Sequence, residues 1–166
     1  MSTLGVGLRP RLATAVATST TTATCVCALR AVFDANVYIS AIIHPGGTPG
    51  RLVERFLRDQ AFEMVLAPAI VDEVLRALAY AKVRKLLRGI DAQLWFEDIV
   101  VLADLVAGAQ QLSGVCEDPD DDKYIAAGFE GRAGHVVTGD QAFLALREYA
   151  GVTIMTPRSF LDLLGL

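Results

Sequence analysis

Two apolar runs in this sequence end in acidic residues. Ala31-Val32-Phe33 leads into Asp34-Ala35-Asn36, and His135-Val136-Val137 leads into Thr138-Gly139-Asp140. In open α/β sheets the ligand crevice lies at the carboxyl ends of the strands, so a carboxylate that interrupts an apolar strand there is a candidate for chemistry. Helix N-capping is the simpler reading of each, because Asp34 and Asp140 both precede helical segments and would satisfy free amide groups. A third feature, Glu117-Asp118-Pro119-Asp120-Asp121-Asp122, places five acids in six residues directly ahead of Lys123-Tyr124-Ile125-Ala126-Ala127. Mutual repulsion disfavours so dense a tract unless it is fully solvated or binds cations. Calcium binding of the EF-hand type fails on spacing: Lys123 stands where the loop glycine is required and Phe129 where the bidentate Glu would be. Asp72 and Glu73 form a fourth acidic point, early in a helix whose core stripe is Ile70, Val71, Val74, Leu75 and Leu78. Glu73 borders that stripe and can lean toward the strand ends, whereas Asp72 points to water. The competing reading of Glu73 is an exposed pair with Arg76.

Short β-branched runs alternate with longer helical ones, the pattern of an α/β sheet with helices on its faces. Strands are expected over Cys27–Phe33, Phe62–Leu66, Gly134–Thr138 and Val152–Met155, with a short one near Val106–Ala109. Helices are expected over Val37–Ile43, Thr48–Asp59, Pro68–Ala79, Lys82–Leu87, Asp91–Leu105, Asp120–Gly131, Gln141–Tyr149 and Pro157–Leu164. Residues 1–28 are Thr/Ala-rich and without periodicity, and are read as a flexible leader ahead of one domain over 29–166.

With 166 residues, 53% of them hydrophobic, the chain can bury a core without a metal or disulfide staple, so a metal would serve chemistry rather than folding. The richest apolar stretch, Leu94–Ala109, is broken by Glu97, Asp98 and Asp104, which argues against a membrane span. Three cysteines, two of them nearly adjacent at Cys25 and Cys27, suit a reducing cytoplasm. The net charge of −4 supplies no global field for nucleic acid, so attraction to a polyanion would have to be local or come from bound cations.

Taken together, Val32-Phe33-Asp34-Ala35-Asn36-Val37, Glu73, Asp118-Pro119-Asp120-Asp121-Asp122-Lys123-Tyr124-Ile125-Ala126-Ala127, Val136-Val137-Thr138-Gly139-Asp140 and the closing Thr156-Pro157-Arg158-Ser159-Phe160-Leu161 resemble the PIN-domain family, most of all its VapC-type toxin nucleases. The resemblance runs from about Arg30 to Leu164. It implies a three-layer α/β fold with a central, mostly parallel sheet, and a cytoplasmic endoribonuclease of a toxin–antitoxin pair. It also implies a four-carboxylate metal site, carried here onto Asp34, Glu73, Asp122 and Asp140. Asn36, Thr138 and Asp120 would orient those ligands. Asp122 is preferred within the tract because the family's acid stands directly ahead of the helix bearing Ile125-Ala126-Ala127, with Asp120 and Asp118 as competitors. The implied partners are an RNA substrate, a cognate antitoxin and a second copy of the chain.

Four hard oxygen donors without His or Cys suit Mg²⁺ or Mn²⁺, ions that keep several waters and also bind phosphate. Cations filling the pocket would lift its repulsion of RNA, coupling metal to substrate binding. Lys82, Arg84, Lys85 and Arg88 are candidates to grip phosphates. Two rival classes place an Asp at the end of the first strand. A phosphoaspartate receiver needs a later strand-end Lys, and a haloacid-dehalogenase-like phosphatase wants a second acid where Asn36 stands. A catalytically silent binding module with the same fold is the third alternative.

Overall fold

The computed structural model describes residues 29–87 and 89–165. The expected leader, with Cys25 and Cys27, and the expected phosphate contact Arg88 lie outside the described residues. Within them the chain runs β1 (Arg30–Phe33), α1 (Ala35–Ile43), α2 (Thr48–Asp59), β2 (Glu63–Leu66), α3 (Pro68–Ala79), α4 (Ala81–Leu86), α5 (Ala92–Leu102) and β3 (Asp104–Leu105). A 3-10 turn (Pro119–Asp121) then opens α6 (Asp122–Glu130), followed by β4 (His135–Val137), α7 (Gln141–Ala145), β5 (Glu148–Tyr149), β6 (Val152–Met155) and α8 (Pro157–Leu163). The strands form one sheet in the order β3-β2-β1-β4-β6-β5, parallel throughout except for the antiparallel β5–β6 edge. Helices flank it in a three-layer α/β arrangement, as expected.

The inner strands are buried on both faces, which explains their uninterrupted apolar sequences: Ala31, Val32, Phe33, Val136 and Val137 are wholly inaccessible. On one face Phe33 stacks on Phe62 at 5.4 Å and meets Phe160 edge-on at 5.9 Å, tying α8 to the sheet. Tyr38 of α1 joins the same cluster, edge-on to Phe96 at 5.4 Å, and its hydroxyl donates to Met64 Sδ at 3.2 Å. On the other face α6 lies against β1, β2, β4 and β6. Arg30 fastens the amino ends of three strands. It pairs with Glu63 of β2 and Asp104 of β3 and donates from Nε to the Gly131 carbonyl at 2.7 Å.

Several expected boundaries shift, among them the start of α6, which lies at Asp122 rather than Asp120 because Pro119–Asp121 forms the 3-10 turn. Helix α5 stops at Leu102, because Ala103 turns extended (ψ 155°) and Asp104–Leu105 pairs with β2; the edge strand therefore lies before Val106–Ala109 rather than on it. Helix α7 ends at Ala145, and Glu148–Tyr149 becomes β5. A two-residue hairpin causes this: Ala150 (φ 47°) and Gly151 (φ 88°) both adopt positive φ, as a type I′ connection demands. Helix α1 begins at Ala35, directly after Asp34. Among the described residues no helix is long and apolar enough to cross a membrane.

Helix α6 approaches the sheet most closely at its end, where a Cβ on Gly131 would stand 2.4 Å from Val65 Cγ1. Val65 is fully buried and has nowhere to move. Gly131→Ala should therefore cost about 1–3 kcal/mol in denaturant unfolding, and adding Val65→Ala should recover part of that loss. Equal stability of Gly131→Ala and the parent would show that α6 is free to lift from β2.

Candidate active site

The carboxyl ends of β1 and β4 lie side by side at the point where the chain's connections diverge to opposite edges of the sheet. In sheets of this kind such a switch point opens a crevice. Phe33 is registered on Val137, and the Asp34 amide donates to the Val137 carbonyl at 2.9 Å. Asp34 and Thr138 are therefore level neighbours, both buried. The Thr138 hydroxyl donates to Asp34 Oδ2 at 2.6 Å and accepts the Asp140 amide at 3.0 Å. One hydroxyl thus sets the spacing between two acids that lie far apart in sequence.

Capping and clustering prove compatible at both strand ends. Asp34 Oδ1 accepts the Asn36 amide at 3.2 Å at the start of α1, and Asp140 Oδ1 accepts the Phe143 amide at 2.9 Å at the start of α7. Asn36 itself is exposed on α1.

Glu73 sits half-buried in the second turn of α3 and is drawn in by α6 rather than by Arg76, whose Nε instead donates to the Asp72 carbonyl at 3.3 Å. The Tyr124 hydroxyl donates to Glu73 Oε2 at 2.6 Å and accepts the Ala35 amide at 3.1 Å. Through Tyr124, Glu73 is joined to the backbone next to Asp34. Burial first, then the charge of Asp34 and the bond to Glu73, raise the Tyr124 hydroxyl far above its ordinary range, so it acts here as a proton donor.

The acidic tract divides its members sharply. The side chain of Asp122, the acid expected from sequence to join the site, is buried and turned toward the preceding loop. It accepts the Cys116 amide at 2.7 Å and the Val115 amide at 3.4 Å. Burial alone would raise its carboxyl, but those donors outweigh burial and hold it below the usual carboxylate value. Its neighbour Asp121, half-buried at the end of the 3-10 turn, feels the charges of the strand-end acids instead. Burial, followed by the charges of Asp34, Asp118 and Asp140, raises its carboxyl to about 6, with Lys123 pulling the other way. The structure thus joins Asp34 to Asp140 through Thr138 and to Glu73 through Tyr124 and the Ala35 amide, leaves Asp121 within range of the charges of Asp34 and Asp140, and turns Asp122 toward the loop. Asp120 is exposed and contributes its carbonyl to Lys123. Sequence reasoning left out Asp121, Lys123 and Tyr124. The only signal for Tyr124 was its place on the buried face of α6, one residue beyond Lys123.

Among the described residues no three acidic, histidine or cysteine side chains converge tightly enough to enclose a metal ion on protein atoms alone. The donor set is nevertheless that of a hard cation. Buried Asp34 and Thr138 meet exposed Asp140 through hydrogen bonds to one hydroxyl, and burial followed by the neighbouring acidic charges raises the half-buried Asp121 carboxyl. An ion that keeps part of its water shell needs only one or two direct carboxylates and fits such a group. A soft-metal site does not fit, because burial and the bond to Asp122 push the nearby Cys116 thiol up to about 12.

The expected phosphate contacts Lys82, Arg84 and Lys85 are exposed on α4, beyond the far end of α3 from the acids. His44 is exposed after α1, and His135 starts β4 at the opposite end of the sheet from the acids.

A family model for the PIN domain matches residues 30–142. Over 142 residues the chain is 27% identical to the uncharacterized protein MJ1680 of Methanocaldococcus jannaschii, covering 81% of this chain and 90% of that protein. Its fold is similar to that in a crystal structure of VapBC2 from Rickettsia felis bound to a DNA fragment from their promoter. The TM-score is 0.51 at 11% identity, over 77% of this chain and 98% of the other.

The two aspartates of the tract should titrate with opposite consequences in metal-free protein. Asp121 binds its proton more tightly folded than unfolded, so stability falls as pH rises from about 3.8 to about 6. Asp122 behaves in reverse, stabilising the fold above its ordinary carboxylate range and losing that contribution as pH drops below it. Asp121→Asn should flatten the pH dependence of Tm between pH 4 and 6.5, whereas Asp122→Asn should leave that slope in place and lower Tm. An unchanged slope in Asp121→Asn would separate Asp121 from the cluster.

Proposed function

This chain belongs to the PIN-domain family, and on that premise we propose that it is a divalent-metal-dependent endoribonuclease and the toxin of a toxin–antitoxin pair. The observation that carries the reading is the link from Asp34 through Thr138 to Asp140, and the upward shift of the Asp121 carboxyl, caused first by burial and then by the charges of Asp34, Asp118 and Asp140, agrees with it. A cluster so short of positive charge is stabilised by bound cations and, once filled, ceases to repel a phosphodiester.

Asp34, Asp121 and Asp140 are the residues proposed to hold Mg²⁺ or Mn²⁺, with Glu73 as the fourth carboxylate. Asp122, the acid favoured by the sequence pattern, is assigned instead to fixing the loop that carries Val115 and Cys116. When bound, the cation supplies an acidified water as nucleophile and charge stabilisation for the phosphorane-like transition state and leaving oxygen. The protein's own part is positional. Thr138 donates to Asp34 and, with the Asn36 amide on the other oxygen, fixes the orientation of its carboxylate. Helix α7 fixes Asp140 by its Phe143 amide, leaving the second oxygen available. Tyr124 steadies Glu73 against rotation. Exposed Lys82, Arg84 and Lys85, with Arg88, are candidate contacts for the RNA backbone beyond the scissile bond.

The likeness to VapBC2 supports an antitoxin as regulatory partner, and the reducing-compartment cysteine usage supports a cytoplasmic setting. A homodimer is proposed on the family resemblance alone.

Cleavage of a mixed single-stranded RNA pool, followed by gel and sequencing, tests the reading. Asp34→Asn should lose more than about 100-fold in rate while its unfolding midpoint stays near the parent's, and Thr138→Val should lose about 10–100-fold. Asp121→Asn should lose activity with little loss of stability, whereas Asp122→Ala should lose mainly stability. Chelation should abolish cleavage and added Mn²⁺ restore it. Undiminished cleavage by Asp34→Asn, or in chelator, would refute the proposal.

A further inference from the structure

The acids are not wholly without a counter-charge: Lys123 lies among them. Its Nζ stands 2.9 Å from Glu73 Oε2, donates to the Asp120 carbonyl at 2.6 Å and lies over the Tyr124 ring, 4.9 Å from the centroid. Glu73 Oε2 is the same oxygen that accepts the Tyr124 hydroxyl. Two donors therefore occupy the oxygen of Glu73 that α6 faces, and only one of them can leave. Tyr124 is buried and pinned at its other side by the Ala35 amide. Lys123 keeps a quarter of its side chain accessible, sits on a flexible four-carbon stem and carries a strongly hydrated head that water readily accepts.

We propose that Lys123 is a positioning residue that acts as a tethered counter-cation, holding Glu73 in the metal-free protein and competing with a divalent ion for that carboxylate. Glu73 thus has two states, one neutralised by the ammonium and one released to the ion, and the ammonium freed in the second is available to an arriving phosphate. The attraction of Lys123 for Asp121 is consistent with this place among the acids. This inference rests on the proposed cation-binding role of Asp34, Glu73, Asp121 and Asp140.

Mn²⁺ titration of the metal-free full-length protein, followed by electron paramagnetic resonance of the unbound ion, tests it without recourse to activity. Lys123→Met keeps a long unbranched side chain and removes the charge. It should bind Mn²⁺ about two- to fivefold more tightly than the parent, the range that partly exposed ion pairs span. Its Tm should fall without metal and be recovered by Mn²⁺. In a Glu73→Gln background the same substitution should give little or no gain, because the contested carboxylate is gone. Unchanged or weaker Mn²⁺ binding by Lys123→Met would overturn the competition, as would an equal gain in the Glu73→Gln background, which would mark a general charge effect. Asp34→Asn and Asp121→Asn separate the two levels of inference. If they weaken Mn²⁺ binding while Lys123→Met does not strengthen it, the role of Lys123 alone falls. If they leave Mn²⁺ binding at the parent's affinity, the cation site falls and Lys123 with it.

Discussion

The parallel pairing of β1 with β4, in the register that sets Phe33 against Val137, determines almost everything at the acidic end of the sheet. It brings the residue after each strand to the same height, so that Asp34 and Thr138 meet as buried neighbours. A slip of one residue would send the Asp34 side chain to the opposite face, because side chains alternate along a strand. Wholly buried β1 residues flanked by aromatic packing on one side and α6 on the other forbid that slip. The hydrophobic core therefore acts on the site indirectly, through register, and the site's precision is inherited from the packing beneath it.

What the register gathers is electrostatically unfavourable. Buried Asp34 and half-buried Asp121 feel each other's charge and those of exposed Asp118 and Asp140, and the fold softens their repulsion in three ways: an Asp121 carboxyl raised to about 6, amide and hydroxyl donors on Asp34 and Asp140, and the ammonium of Lys123 near Glu73. Asp122 shows the contrasting solution. Given two backbone amides and turned from its fellows, an equally buried carboxylate is held below its ordinary value and ties the loop to α6. Adjacent residues of one type thus acquire opposite properties from the donors around them.

The same distinction explains how far the sequence could be read. The strand-end acids were legible because an apolar run ending in Asp leaves little doubt about which end of a parallel strand bears it, and Glu73 because its helix has a clear core stripe. Which acid of the tract would turn to the preceding loop was not legible. Side-chain direction there depends on where the 3-10 turn gives way to α6, and helix starts read from sequence are uncertain by a residue or two. That margin separates Asp121 from Asp122. Similarly, Ala150-Gly151 is a weaker hairpin signal than Asn-Gly, so the end of α7 and all of β5 were read as a single helix. The bridge from Lys123 and Tyr124 to Glu73 joins positions some 50 residues apart, with no local pattern to announce it.

A site of this kind cannot be judged by convergence of ligands alone. Like-charged side chains held near one another repel, and the structure answers that conflict by giving three of the carboxylates donors from the protein: Thr138 for Asp34, the Phe143 amide for Asp140, Tyr124 and Lys123 for Glu73. Three of those donors are fixed by buried backbone or aromatic packing and would remain if an ion arrived. The fourth, Lys123, is the one whose stem permits withdrawal, and under the proposed competition a cation's access to Glu73 turns on how strongly that single ammonium is held.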